Sequence, residues 1–367
     1  MSASAKIAEA SAPSRVTPAP QRIVIKAVNW LGDLVMSLPA MRAVRHAWPE
    51  AHLAVLVKRE LAGFFDGADW VDEVIGYRLG RGLRGLTERR AIVGDLRRRS
   101  FDLAVLMPNS FDSAVWVTAA GIRHRAGFIR DARGAMLTHK ALPPRDALDG
   151  HQVRYWLAMV RDTIGVTGDS NDFALTPSES NAAKIQDWLA AHRKRSSSSL
   201  VALAPAAAYG PAKEWPASKF AETIDLLDSR FGAECVLVGA PSERARCEEV
   251  ARLGHASTII AAGETSIGEL IALLARCAGF VGNDSGVMHL AGALGIPTIG
   301  IFGSTNPLRT GPLGYKTRVL WRHLSCSPCL ARTCRFGHYD CLTQVSANEA
   351  VDALESIDGF APQSKIS

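Results

Sequence analysis

Two short clusters of small, donor-rich side chains lie close together in this 367-residue chain, Asn283-Asp284-Ser285-Gly286 and Gly303-Ser304-Thr305. Asp and Ser start helices, and a helix start offers free N–H groups and a positive dipole end to anions. A diphosphate is the ligand such a pair of loops would hold. A plain helix cap and a chain-turning glycine use the same residues, and the stretch alone leaves both readings open. Lys213, in the small-residue loop 205–216, can reach a diphosphate as a point charge or stand as an exposed lysine. Glu243, after the apolar run 236–238 and Gly239, can accept from a ribose hydroxyl or favour a helix start. Near the amino end, Gly32-Asp33 follows the apolar run 22–28. An aspartate there is a cap worth about 1 kcal/mol, or a carboxylate that takes a proton from a hydroxyl nucleophile in a cleft.

Asn109 and Ser110, in the polar stretch 107–113, suit a sugar or a phosphate, and they lead to Arg123, Arg125, Arg130 and Arg133. Arginine forks match phosphate oxygens. Cys326, Cys329, Cys334 and Cys341 form C-x2-C-x4-C-x6-C with His338 inside. Clustered thiolates suit zinc. The second pair lacks the x2 knuckle spacing, and a loop of reduced cysteines fits equally.

These residues sit where strands end. Residues 22–28 read as a buried strand, followed by a helix through Leu34, Met41 and Val44 to Trp48-Pro49. Strands are expected at 54–57, 71–77 and 101–106, with helices between, and a helix containing Arg154-Tyr155-Trp156 ends near Gly165. The polar stretch 165–177 marks a domain boundary. After a helix at about 179–195 and the serine run 196–199, strands are expected at 200–204, 235–238, 258–260, 280–281 and 298–302. Alternating strands and helices mean an α/β protein of two doubly wound, mostly parallel halves, 22–170 and 171–367, with ligands in the cleft between them. The first βα turn has no GxGxxG, which argues against a dinucleotide there.

Apolar content of 47% and charged content of 21% are those of a globular protein. No apolar run reaches the roughly 18 residues of a membrane span. Residues 1–21 are rich in Ala, Ser and Pro without an apolar core, so they read as a disordered tail instead of a signal peptide. The seven cysteines suit a reducing cytoplasm. Residues 1–170 hold 24 Lys+Arg against 17 Asp+Glu, and 78–133 alone hold twelve arginines against five acids. Either this is a solvated basic face, or it meets an acidic partner such as phosphorylated lipid, a membrane surface or nucleic acid.

In order along the chain, Asn29-Trp30-Leu31-Gly32-Asp33 with Ser37-Leu38-Pro39-Ala40, Pro108-Asn109-Ser110, Ala212-Lys213-Glu214-Trp215-Pro216, Asn283-Asp284-Ser285-Gly286 with His289, and Phe302-Gly303-Ser304-Thr305 resemble the family-nine glycosyltransferases, the ADP-heptose:lipopolysaccharide heptosyltransferases. The cysteine block with Phe336-Gly337-His338 is similar to their heptosyltransferase II branch. The resemblance covers about residues 22–357. It implies a GT-B fold, two Rossmann-like domains facing a central cleft, with the acceptor on the first and the nucleotide sugar on the second. It implies inverting, metal-independent transfer of L-glycero-D-manno-heptose from ADP-heptose, with no cofactor, to the first inner-core heptose of a phosphorylated Kdo-lipid A precursor. The enzyme would be cytoplasmic, peripheral at the anionic inner membrane, with no nucleic acid partner. Carried over residue by residue, the general base falls on Asp33 and the phosphate-contacting lysine on Lys213. Donor contacts fall on Asp284, Ser285, Gly286, His289, Gly303 and, near the ribose, Glu243, while Asn109, Ser110, Arg123 and Arg125 are expected on the acceptor. A heptosyltransferase I, another family member and a sugar-nucleotide epimerase of the same architecture are the alternatives.

Overall fold

In the computed structural model, residues 16–360 are described, apart from Arg81 and Ser196. Residues 1–15, most of the expected tail, lie outside that range; Val16 is already buried in the core.

The strands are short, and those at the centre of each sheet are buried on both faces, as parallel strands covered by helices on each side must be. In the first half they are β1 (Arg22–Lys26), β2 (His52–Lys58), β3 (Glu73–Tyr77), β4 (Leu103–Leu106), β5 (His124–Phe128) and β6 (His139–Ala141). Between and after them run α1 (Leu31–Ala47), α2 (Gly82–Arg99), α3 (Phe111–Ala119), α4 (Arg145–Asp149) and α5 (Gln152–Ile164). The second half holds α6 (Glu179–His192), β7 (Leu200–Ala204), α7 (Ala217–Phe231), β8 (Glu234–Leu237), α8 (Arg244–Leu253), β9 (Thr258–Ile260) and α9 (Ile267–Leu274). It continues with β10 (Gly279–Asn283), α10 (Gly286–Ala293), β11 (Thr298–Phe302), α11 (Pro307–Thr310), β12 (Thr317–Trp321), α12 (Asp340–Thr343) and α13 (Ala347–Glu355).

Every ladder is parallel, and the two sheets run β3-β2-β1-β4-β5-β6 and β12-β11-β10-β7-β8-β9. These are the same doubly wound order, each reversing direction between its first and fourth strand. The crevice at that reversal, beyond the carboxyl ends of the strands, is where such sheets hold ligands. Alternation along β1 assigns the layers. Ile23 and Ile25 pack with Leu34, Met41 and Met159 of α1 and α5, while Val24 packs with Ile92, Leu96 and Trp116 of α2 and α3.

The first of those clusters does not stop at the lobe boundary but continues into Leu270, Leu274, Met288 and Leu290 of α9 and α10. The two lobes therefore share core. Between them, Gly165 ends α5 in the left-handed conformation, and the chain crosses over α1. Arg42 grips the crossing through Asp172 Oδ1 and Ala174 O, both at 2.6 Å. Among the described residues no helix is long and apolar enough to cross a membrane.

Candidate active site

The loops that leave β7, β10 and β11 fold onto one another at one sheet edge. After β7 the chain makes a 3-10 turn at Pro211–Lys213. Asn283, buried at the end of β10, accepts from the Trp215 N–H at 3.0 Å and donates to Pro205 O at 2.9 Å, so both ends of the lysine loop are tied to that strand. Gly303 lets the third loop close. A Cβ there would lie 2.7 Å from Ala212 O, a carbonyl that takes the Ser304 N–H at 3.2 Å.

Lys213 Nζ then stands 2.5 Å from Asp284 Oδ2, and Thr305 Oγ1 donates to the same oxygen at 2.5 Å. The ammonium also lies 4.9 Å from the Tyr209 ring centroid. A carboxylate repels phosphate, so Asp284 acts through its neighbours, fixing an ammonium and a hydroxyl at the start of α10. Ser285 is the N-cap of α10 yet makes no side-chain cap bond. Its Oγ, Ser304 Oγ and His289 Nδ1 are buried without a hydrogen-bond partner. Orphaned polar atoms on the loops around a lysine and a helix start are what an anionic, oxygen-rich ligand completes. Burial pushes the His289 pKa down to about 4, so its ring is neutral at pH 7. Glu243 sits one strand further along, at the end of β8, where its Oε2 accepts from the Ala240 N–H at 2.7 Å and shapes the turn into α8.

Asp33 arrives from the other lobe. It is the third residue of α1, whose N-cap, Trp30, makes no side-chain bond. The starts of α1 and α10 meet directly: a Cβ on Gly32 would lie 2.8 Å from His289 Cδ2, and one on Gly286 would lie 2.7 Å from Leu31 Cβ. Two glycines therefore permit the approach. Burial pushes the Asp33 carboxyl above its ordinary pKa, Lys213 pulls it down and Asp284 pushes it up, so the carboxyl feels both partners across the junction. Such a group is poised to accept a proton.

In the first lobe, Asn109 is held at the end of β4. Its Oδ1 accepts from Arg133 at 3.2 Å and its amide donates to Tyr155 OH at 2.8 Å. Ser110 caps α3 by accepting from the Ser113 N–H at 3.4 Å. Arg123 and Arg125 do not join this group. They lie at the amino end of β5, the opposite edge of a parallel sheet, with Arg123 exposed and Arg125 donating to Met136 O at 2.6 Å and Ile122 O at 2.5 Å. The arginine that does reach the carboxyl edge is Arg133, fully buried, which also donates to Phe128 O at 3.0 Å and to Pro108 O. From the sequence, Ser304 and Thr305 read only as part of a donor-rich loop and Arg133 only as one of four arginines, and Tyr209 is given no role. Nothing in composition separates one arginine or serine from another until the chain is folded.

The cysteine block closes over the lysine loop. Tyr209 OH donates to Leu330 O at 2.6 Å, Leu330 N–H to Ser304 O at 2.8 Å and Ala212 N–H to Arg332 O at 3.0 Å. All seven cysteines are free. Burial, and then Cys326, Cys329 and Cys334, push the Cys341 thiol up to about 11. Among the described residues, no three or more His, Cys, Asp or Glu side chains are arranged to hold a metal ion. A 640 Å³ groove along α7 and a 260 Å³ hollow beside His151 and Tyr315 lie elsewhere, and neither is lined by Asp33, Lys213 or Asp284.

Known proteins resemble this chain in sequence and in fold. The family model for glycosyltransferase family 9 (heptosyltransferase) matches residues 89–340. The lipopolysaccharide heptosyltransferase 2 of Escherichia coli K12 is 30% identical over 311 residues, covering 82% of this chain and 87% of that protein. The lipooligosaccharide heptosyltransferase 2 of Campylobacter jejuni is 24% identical over 341 residues, covering 92% and 98%. Among solved structures, ADP-heptose lipopolysaccharide heptosyltransferase II of E. coli superposes with a TM-score of 0.78 at 27% identity, covering 91% of this chain and 98% of that one. The two facing Rossmann-like lobes are the GT-B arrangement, and the chain belongs to glycosyltransferase family 9, the heptosyltransferases.

Proposed function

We propose that this chain transfers L-glycero-D-manno-heptose from ADP-heptose, with inversion, to the first inner-core heptose of a phosphorylated Kdo-lipid A acceptor, without a metal or other cofactor. The reading places it in the cytoplasm, peripheral to the inner membrane that carries the acceptor. The observation that carries it is the facing of Asp33, from one lobe, and the Lys213–Asp284 pair, from the other, across the meeting of two helix starts. In this mechanism the acceptor hydroxyl oxygen attacks the anomeric carbon from the face opposite ADP. The bond from that carbon to the β-phosphate oxygen breaks, its electron pair stays on the diphosphate, and Asp33 takes the hydroxyl proton. Lys213 and the N–H groups opening α10 meet the charge that grows on the leaving group. Ser285 Oγ, Ser304 Oγ and His289 Nδ1 supply further partners for donor oxygens, and the ribose is assigned to Glu243.

The test is incubation of the purified protein with ADP-heptose and, separately, one-heptose and zero-heptose acceptors, read by mass. One added heptose on the one-heptose acceptor alone is expected. Asp33→Asn should abolish transfer, a loss of at least about 100-fold, while calorimetry gives unaltered ADP affinity. Wild-type turnover in that variant removes Asp33 as the base.

A further inference from the structure

We propose that the rim of the first lobe formed by the loops leaving β1, β3, β4, β5 and β6 is a docking surface for an anionic lipid bilayer. The inference rests on the reading above, that the acceptor is embedded in a membrane, and identifies which face of the protein meets it. All six strands of this sheet are parallel, so these five loops share one edge. Each carries a large apolar side chain turned to solvent: Trp30, Leu79, Phe111, Ile129 and Leu142, exposed by between 36% and 70%. The loop after β2 is the exception, with Leu61, Phe64 and Phe65 buried and Gly63 packed on Gly268 of α9. The second lobe thus covers that loop and, at the start of α1, packs on Leu31 and Gly32, while Trp30 and the apolar side chains of the other four loops stay exposed.

Their sequence neighbours set the occupant. Exposed Arg78 precedes Leu79, exposed Arg130 follows Ile129, and exposed Arg145 comes three residues after Leu142. Asp131 and Asp146 stand on the same loops, and Asp112 is paired with Arg89. The local excess of positive charge is therefore modest, and apolar contact must carry the rest. Apolar side chains flanked by arginines, with a tryptophan among them, match the boundary between lipid headgroups and acyl chains. The rim spans five inter-strand steps, roughly 24 Å at about 4.8 Å each. A soluble sugar phosphate would gain nothing from leucines spread over that width. A lipid surface would, and the edge it covers is the one on which Asp33 opens.

Vesicle sedimentation tests this without donor or acceptor. The full-length protein is expected to sediment with phosphatidylglycerol-containing vesicles, less so as salt rises, and to stay in solution with purely phosphatidylcholine vesicles. The triple variant Leu79→Ser, Ile129→Ser, Leu142→Ser should partition at least about tenfold more weakly. Arg78→Gln with Arg145→Gln should lose about fivefold or more and show a shallower salt dependence. Leu253→Ser, at the far end of α8, should bind as the parent does. Each variant should keep its circular dichroism spectrum and its turnover on a deacylated, water-soluble acceptor. A parent protein that ignores anionic vesicles at low salt, equal binding to neutral vesicles, or a triple variant that binds unchanged overturns the proposal. So does concentration-dependent dimerisation through the rim in place of vesicle binding. Absence of turnover on every acceptor would instead count against the transferase reading, because the vesicle result does not depend on it.

Discussion

Asp33, Lys213 and Asp284 form a chain of dependence in which each residue sets the charge state or position of the next. Burial raises the Asp33 pKa and Lys213 opposes that shift. A carboxyl held above its ordinary value keeps its proton to higher pH, so transfer should fall on the acid side earlier than an ordinary carboxylate would predict. Removing the cation removes the opposing pull. Lys213→Ala should therefore move the acid limb of the kcat/KM profile to still higher pH, and a limb that stays or moves down breaks the coupling between the lobes. The same variant should weaken ADP binding by about 10- to 100-fold, the loss of one charged hydrogen bond. Calorimetry showing unaltered affinity would remove Lys213 from the phosphate. Asp284 was expected to contact the diphosphate; it lies just before α10, and its carboxylate is engaged by Lys213 and Thr305. Asn109 and Ser110 likewise sit at the expected strand end with side chains already engaged, one by Arg133 and Tyr155, the other as a cap.

At the scale of elements, the site exists because α1 and α10 start against each other. Gly32→Ala would bring a Cβ within 2.8 Å of the His289 ring. The helix starts would have to part, and a displacement of about 1 Å between reacting groups costs on the order of 100-fold. We expect a kcat loss of that size with a thermal midpoint close to the parent's; parental turnover would mean that the two helices separate during the cycle. Apolar runs made the central strands legible in the sequence, because β1, β4, β7, β10 and β11 are buried on both faces. Three strands were not: β5 (HRAGF), β6 (HKA) and β12 (TRVLW). They are short, carry His, Lys or Arg, and are positioned by pairing with β4, β5 and β11 respectively, so no local pattern announces them. Missing β5 is also why Arg123 and Arg125 looked like neighbours of Asn109. The strand carries the chain from one edge of the sheet to the other, leaving them at its amino end and Arg133 beyond its carboxyl end.

For the whole molecule, the two lobes share a core and meet at several further contacts. Besides the junction of α1 and α10, Asn181 at the start of α6 donates to Asp66 Oδ2 at 2.8 Å, and His151 Nδ1 accepts from the Val153 N–H while Nε2 meets Gly311 O at 3.0 Å. Asp66→Ala leaves the buried Asn181 amide without that partner, for a loss of about 1 kcal/mol in urea unfolding. Its ADP affinity should equal the parent's, because every group assigned to the nucleotide comes from the second lobe. A drop in affinity would show that the first lobe shapes the donor site through this strut. The sequence by itself determined the two alternating α/β halves and the identity of the loops that bear Asp33, Lys213 and Asp284, because hydrophobic periodicity and turn chemistry are local. Only the tertiary structure decided that Asp33 lies within electrostatic reach of Lys213, that Asp284 serves the lysine, and that Arg133 rather than Arg125 stands behind Asn109. Those facts depend on which strand ends share an edge and on how closely two glycines let the lobes approach, and neither is written in any stretch of chain taken alone.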